Sequence, residues 1–93
     1  MSTLLSPEQI DLSLSKLSGW TLEGSTIKTT RVFKDFIEAI DFVNKLVAPA
    51  EAAGHHPDIS ISYNRVTVSL TTHDAGGITQ KDLDMAQTVA ELS

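Results

Sequence analysis

The strict alternation between Ile59 and Thr71 constrains the fold more than any other stretch. Ile59, Ile61 and Tyr63 alternate with Ser60 and Ser62, while Val66, Val68 and Leu70 alternate with Thr67, Ser69 and Thr71. A period of two marks a strand with one buried face. Asn64-Arg65 offers a two-residue turn between the two runs. That turn pairs Tyr63 with Val66, Ile61 with Val68 and Ile59 with Leu70. Apolar residues then share one face and small hydroxyl residues the other. One face packs on helices; the other is solvated or lines an interface.

The rest of the chain supplies the elements that cover this hairpin. Ser6-Pro7-Glu8-Gln9 combines a serine cap, proline at the first helical position and glutamine three residues after the cap. That is a helix start. Ile10, Leu14 and Leu17 then recur at helical spacing, and Gly19 is the stop, so the first helix is expected from Pro7 to Leu17. Gly24-Ser25 joins Trp20–Glu23 to the β-branched run Thr26–Val32, pairing Leu22 with Ile27 and Trp20 with Thr29. Asp35 and Glu38 open a second helix, with Phe36, Ile40, Val43 and Val47 as its expected buried stripe. Pro49 is expected to kink or end it, and Gly54 ends it at the latest. Thr79 and Asp82 cap a last helix, whose stripe is Met85, Val89 and Leu92. The order α-β-β-α-β-β-α predicts an α+β fold: a four-stranded antiparallel sheet with three helices packed on one face, and residues 1–93 forming a single domain.

A chain of 93 residues without cysteine has neither disulfides nor a thiolate zinc site to stabilise it. Its net charge of −5 and lack of a basic run argue against direct nucleic-acid binding. No apolar run approaches the length of a membrane span, and the first residues lack the pattern of a signal peptide. The expectation is a cytoplasmic protein with no membrane partner.

All three histidines fall in one stretch, at His55, His56 and His73. Pairing of the second hairpin brings its start and end side by side, so His55-His56 and His73 meet at one end of the sheet. Two imidazoles facing one pocket can act as acid and base near neutral pH. His56 precedes Pro57 and is pushed into extended chain, where His55 and His56 point to opposite sides. Glu51, four residues before His55, shares its helical face if the helix persists, and can orient that imidazole. Gly76-Gly77 permits close approach of a flat ligand, or simply a turn. Plainer readings stand beside these: His55 as a surface loop residue, Asp82 as a helix cap, Trp20 as core and Tyr63 as part of a hairpin face. A metal site from His55, His73 and Asp74 is the weaker alternative, given the extended His-His-Pro geometry.

Glu51-x-x-x-His55-His56-Pro57, followed by Tyr63, His73 and Asp82, resembles the pterin-4a-carbinolamine dehydratases. The successive spacings are four, one, one, six, ten and nine residues. The resemblance extends to Gly19-Trp20, Leu22-Glu23-Gly24, Lys34-Asp35-Phe36 and Thr72-His73-Asp74. It implies the same fold and a dehydration that needs no cofactor and no metal: water leaves 4a-hydroxytetrahydropterin to give the quinonoid dihydropterin. It also implies the catalytic set. His55 and His73 transfer protons, and His56 holds the pterin. Glu51 and Asp82 orient histidines, and Trp20 and Tyr63 border the pocket, with Pro57 and Asp74 beside it. Two departures bear on the pocket: Ile59 stands where many members carry an aromatic residue, and Pro49 precedes the motif glutamate. Relatives of this fold also serve as dimerisation partners of a transcription factor or as assembly factors. A non-catalytic binding module is therefore the alternative. The resemblance implies a homodimer or homotetramer.

Overall fold

A computed structural model describes residues 3–93. The first helix, α1 (Pro7–Leu14), begins at the expected cap: Gln9 N donates to Ser6 Oγ, and Ser6 N to Gln9 Oε1. It ends three residues short of the sequence expectation. Beyond Leu14 the hydrogen bonds tighten to i→i+3, from Lys16 N to Ser13 O and from Leu17 N to Leu14 O. Leu17 still packs on the core from this final turn.

Strands β1 (Trp20–Glu23) and β2 (Thr26–Val32) pair as predicted, Trp20 with Thr29 and Leu22 with Ile27. Strands β3 (Asp58–Ser62) and β4 (Arg65–Leu70) form the second hairpin, and the sheet order is β1-β2-β4-β3, all antiparallel. The hairpin's register differs from the expected one. Ile61 pairs with Val66 and Ile59 with Val68, so the turn residues are Tyr63 and Asn64. Tyr63 takes a φ of 53°, a left-handed conformation uncommon for a bulky side chain. Asn64 ties the turn to the end of β2: its side-chain amide donates to Phe33 O, and its carbonyl accepts from Phe33 N. The slip moves each residue's partner by two positions, from Val68 to Val66 for Ile61, so side-chain parity survives. Val66, Val68 and Leu70 remain buried.

Helix α2 (Phe36–Ala53) is capped by Asp35, whose Oδ1 accepts from Glu38 N at 2.9 Å. The expected stripe of Phe36, Ile40, Val43 and Val47 is not the one that meets the core. Ala39, Phe42, Leu46 and Ala50 are buried instead, while Phe36 and Val47 are 51% and 56% exposed. Both sets have helical spacing; the small Ala39 and Ala50 let the helix approach the sheet closely. Pro49 neither ends nor replaces a turn of the helix, which runs on to Ala53. The carbonyl deprived of its donor is that of Lys45, on the exposed side of α2, where water can satisfy it. Helix α3 (Gln80–Leu92) buries Leu83, Met85, Ala86 and Val89 as its apolar stripe. These side chains, with Ile10, Leu14, Phe42 and Leu46, cover one face of the sheet, made by Trp20, Ile27, Val66, Val68 and Leu70. The opposite face carries hydroxyl residues, with Thr30 and Thr67 in Oγ–Oγ contact at 3.1 Å. No helix among the described residues is long and apolar enough to cross a membrane.

Candidate active site

His55 is aimed by the way α2 stops. Gly54 adopts φ 61°, and the chain turns back on the helix: Gly54 N donates to Glu51 O at 3.2 Å and His55 N to Ala50 O at 3.1 Å. These two bonds make a Schellman motif, which fixes the residue after the glycine relative to the helix axis. His55 therefore points toward α3, where its Nε2 meets Asp82 Oδ1 at 2.5 Å. The His55 side chain is 12% exposed, and Asp82 is completely buried.

The Asp82 carboxylate is satisfied on both oxygens. Oδ2 accepts from Thr72 Oγ1 at 2.8 Å and from Thr79 N at 2.9 Å. Thr72 Oγ1 also lies 2.8 Å from Thr79 Oγ1. An ionised carboxylate only accepts hydrogen bonds, so the directions follow. Nε2–H of His55 and the Thr72 hydroxyl both donate to Asp82, and the Thr79 hydroxyl donates to that of Thr72. The neutral tautomer that fits this pairing carries its proton on Nε2 and leaves Nδ1 as the acceptor nitrogen. Asp82 serves as a cap and as a histidine partner at once.

His56 is held differently. It pairs through Nε2 with Glu51 Oε2, across the turn at Gly54, and both side chains are more than half exposed. The expectation that Glu51 faces His55 therefore fails. The helix does persist past Pro49, but the left-handed Gly54 rotates His55 off the i, i+4 face and brings His56 to Glu51. Pro57 then leads the chain into β3.

His73 lies exposed on a short 3-10 turn, His73–Ala75, that follows β4. The carbonyl of Thr72 accepts from Ala75 N and Gly76 N, and Thr72 N donates to Gly77 O at 3.0 Å. Gly76, with φ 78°, closes the turn. Continuing the β3–β4 register past Asp58–Ser69 sets Thr72 opposite His55 and His73 opposite Gly54. The hairpin thus delivers the two histidine segments to one end of the sheet, with Asp74 exposed beside them.

Two expected pocket residues lie elsewhere in the chain. Tyr63 sits at the hairpin turn, five residues along from Asp58, about 17 Å at the usual strand rise. It is 66% exposed. Trp20 is buried in β1, three strands from β3, or about 14 Å across the sheet. Its indole Nε1 is buried without a hydrogen-bond partner among the described residues. His55, His73 and Asp74 do not assemble into a three-donor metal cluster, and no such group occurs among the described residues.

An open groove of about 170 Å³ runs between α2 and β3. Its walls include Val43, Val47, Ala50 and Ile59, and Glu51, His56 and Pro57 stand at its polar end. His55 and His73 do not line it, so the groove meets the site on the His56 side only. These apolar walls and the Thr72 hydroxyl on Asp82 were not foreseen from the sequence, whereas the Thr79–Asp82 cap pair was. A threonine directly before His73 was the available signal for that hydroxyl.

Residues 3–92 match the sequence profile of the pterin 4 alpha carbinolamine dehydratase family. A protein from Nostoc sp., provisionally named pterin-4-alpha-carbinolamine dehydratase, is 69% identical over 93 residues, which span all of both chains. A crystal structure of a transcriptional coactivator/pterin dehydratase from Brucella melitensis superposes with a TM-score of 0.92 at 34% identity, covering 97% of this chain and 98% of that one. A pterin dehydratase-like RuBisCO assembly factor of the alpha-carboxysome shares the fold, with a TM-score of 0.64 at 20% identity over 78% of this chain and 84% of that one.

Proposed function

The chain belongs to the pterin 4 alpha carbinolamine dehydratase family, hydro-lyases by reaction class, and we propose that it dehydrates 4a-hydroxytetrahydropterin to the quinonoid dihydropterin through His55 and His73. Hydroxide is a poor leaving group at C4a unless it is protonated, and the N5 proton must depart as the C4a=N5 double bond forms. One imidazole gives a proton to the leaving oxygen and the other takes the proton from N5, so the products are water and the dihydropterin. The catalyst is then reset by returning a proton from one imidazole to the other through water. His56, steadied by Glu51, binds the pterin ring system where the groove opens.

The observation that carries this reading is the fully buried Asp82 carboxylate turned onto His55. Burying a charge is costly unless it is fully hydrogen-bonded. A helix cap alone does not require the second oxygen to hold an imidazole. General acid–base catalysis of this kind contributes about 10²- to 10⁴-fold. Ultraviolet absorbance of freshly made 4a-hydroxytetrahydropterin tests it: wild type accelerates the loss of water over buffer, and His55→Ala removes most of the acceleration. A wild-type protein that leaves the buffer rate unchanged contradicts the proposal.

The exposed apolar stripe of α2 favours a second, compatible role as an interface. Phe36 and Ile37 lie outward at the start of α2, outside the groove that His56 borders, and β3 is an unpaired sheet edge. We assign this surface to a homo-oligomer, a dimer or tetramer, acting in the cytoplasm. A primary binding function, with catalysis incidental, would survive substitution of His55 and His73.

A further inference from the structure

We propose that Thr72 is the positioning residue that sets both proton-transfer histidines, its hydroxyl through Asp82 and its carbonyl through the His73 turn. The inference rests on the dehydratase reading above. The Thr72 hydroxyl is buried and donates to Asp82 Oδ2 at 2.8 Å, while receiving a hydrogen bond from Thr79 Oγ1 at 2.8 Å. Asp82 has one rotatable carboxylate and three donors around it. Thr79 N and the Thr72 hydroxyl occupy Oδ2, which leaves Oδ1 for His55 alone. Without the hydroxyl, one lone-pair direction of a buried carboxylate loses its donor. The carboxylate can then rotate, and the Nε2–H tautomer of His55 loses its fixed partner.

The same residue acts on His73 by its backbone. Thr72 O accepts from Ala75 N at 3.1 Å and Gly76 N at 3.0 Å, closing the turn on which His73 is carried. Its own N–H is spent on Gly77 O at 3.0 Å. Every polar group of Thr72 is therefore committed, its side chain toward His55 and its main chain toward His73. A residue placed this way fixes how the two imidazoles stand relative to one another. It touches no substrate, so its contribution is to kcat, through the orientation of groups that react in the transition state.

The test uses the full chain with Thr72→Val, which keeps the shape and removes the hydroxyl, and Thr72→Ser, which keeps the hydroxyl. Thr72→Val is expected to lower kcat by roughly ten-fold or more, the usual scale of one lost hydrogen bond to a charged group, with KM within about two-fold of wild type. Thr72→Ser is expected to restore kcat. Imidazole nitrogen-15 NMR gives a readout that a purely structural role would not move. His55 shows one Nε2–H tautomer in wild type and in Thr72→Ser, and a mixture in Thr72→Val. His73, held through the main chain, keeps its resonances in all three. A folded Thr72→Val with wild-type kcat and an unmixed His55 tautomer overturns the proposal. If Thr72→Val does not fold, Thr72→Ala replaces it with the same expected and contradicting results. If wild type itself does not dehydrate the pterin, the functional reading fails separately, and the tautomer spectra still decide the role of Thr72.

Discussion

Asp82 divides its two carboxylate oxygens between two tasks: Oδ2 holds the start of α3 and the Thr72 hydroxyl, and Oδ1 holds His55. The sequence offered both readings, a cap three residues after Thr79 and a partner for a histidine, as rivals. In the folded chain they are the same side chain seen from two sides. The partner of Glu51 was less legible, because i, i+4 spacing identifies neighbours only while the helix continues. One left-handed glycine hands the carboxylate from His55 to His56. The task of the Thr72 hydroxyl was less legible still: its place before His73 marks the residue, but only its burial beside a carboxylate shows what the hydroxyl does.

At the scale of elements, strand parity, helix caps and the register of the first hairpin were readable, and the register of the second hairpin was not. The Ile59–Thr71 alternation located both strands, but an alternating pattern alone does not say which two residues turn, and Tyr63-Asn64 do so in place of Asn64-Arg65. Tyr63 accepts a positive φ while Asn64 is tied to Phe33 by two hydrogen bonds. In α2, two apolar stripes of identical period lie one residue apart, and spacing alone cannot choose between them. The choice falls to the stripe containing Ala39 and Ala50, whose small side chains permit close packing. The end of α2 is the element on which the site depends most. Gly54 has open space where a Cβ would stand, so Gly54→Ala meets no clash and bears only the left-handed penalty. The expected loss is about 1–2 kcal/mol of stability, read from the midpoint of urea unfolding. Equal stability of the variant and wild type would contradict the left-handed turn that aims His55.

For the molecule as a whole, the layer of three helices on one face of a four-stranded sheet followed from the order of elements. What the order could not reveal is how much apolar surface the single chain leaves uncovered. Phe36, Ile37 and Val47 on α2 are each more than half exposed, and Ile59 and Ile61 on the edge strand are about a third exposed. A small domain gains stability by burying such surface against a copy of itself. Light scattering at micromolar concentration is expected to give a mass that is a multiple of the 10.0 kDa chain. Ile37→Asp is expected to lower that mass without loss of helix content by circular dichroism. A monomeric wild type would contradict the assignment of this surface.

Whether His55 and His73 share one proton exchange, as proposed, is read from the dehydration rates of wild type, His55→Ala, His73→Ala and the double variant under identical conditions. Groups that act as a unit lose their effect together. The double variant is expected to be no slower than the slower single variant. Losses that multiply in the double variant would mean that the two imidazoles contribute independently, and would contradict the shared step.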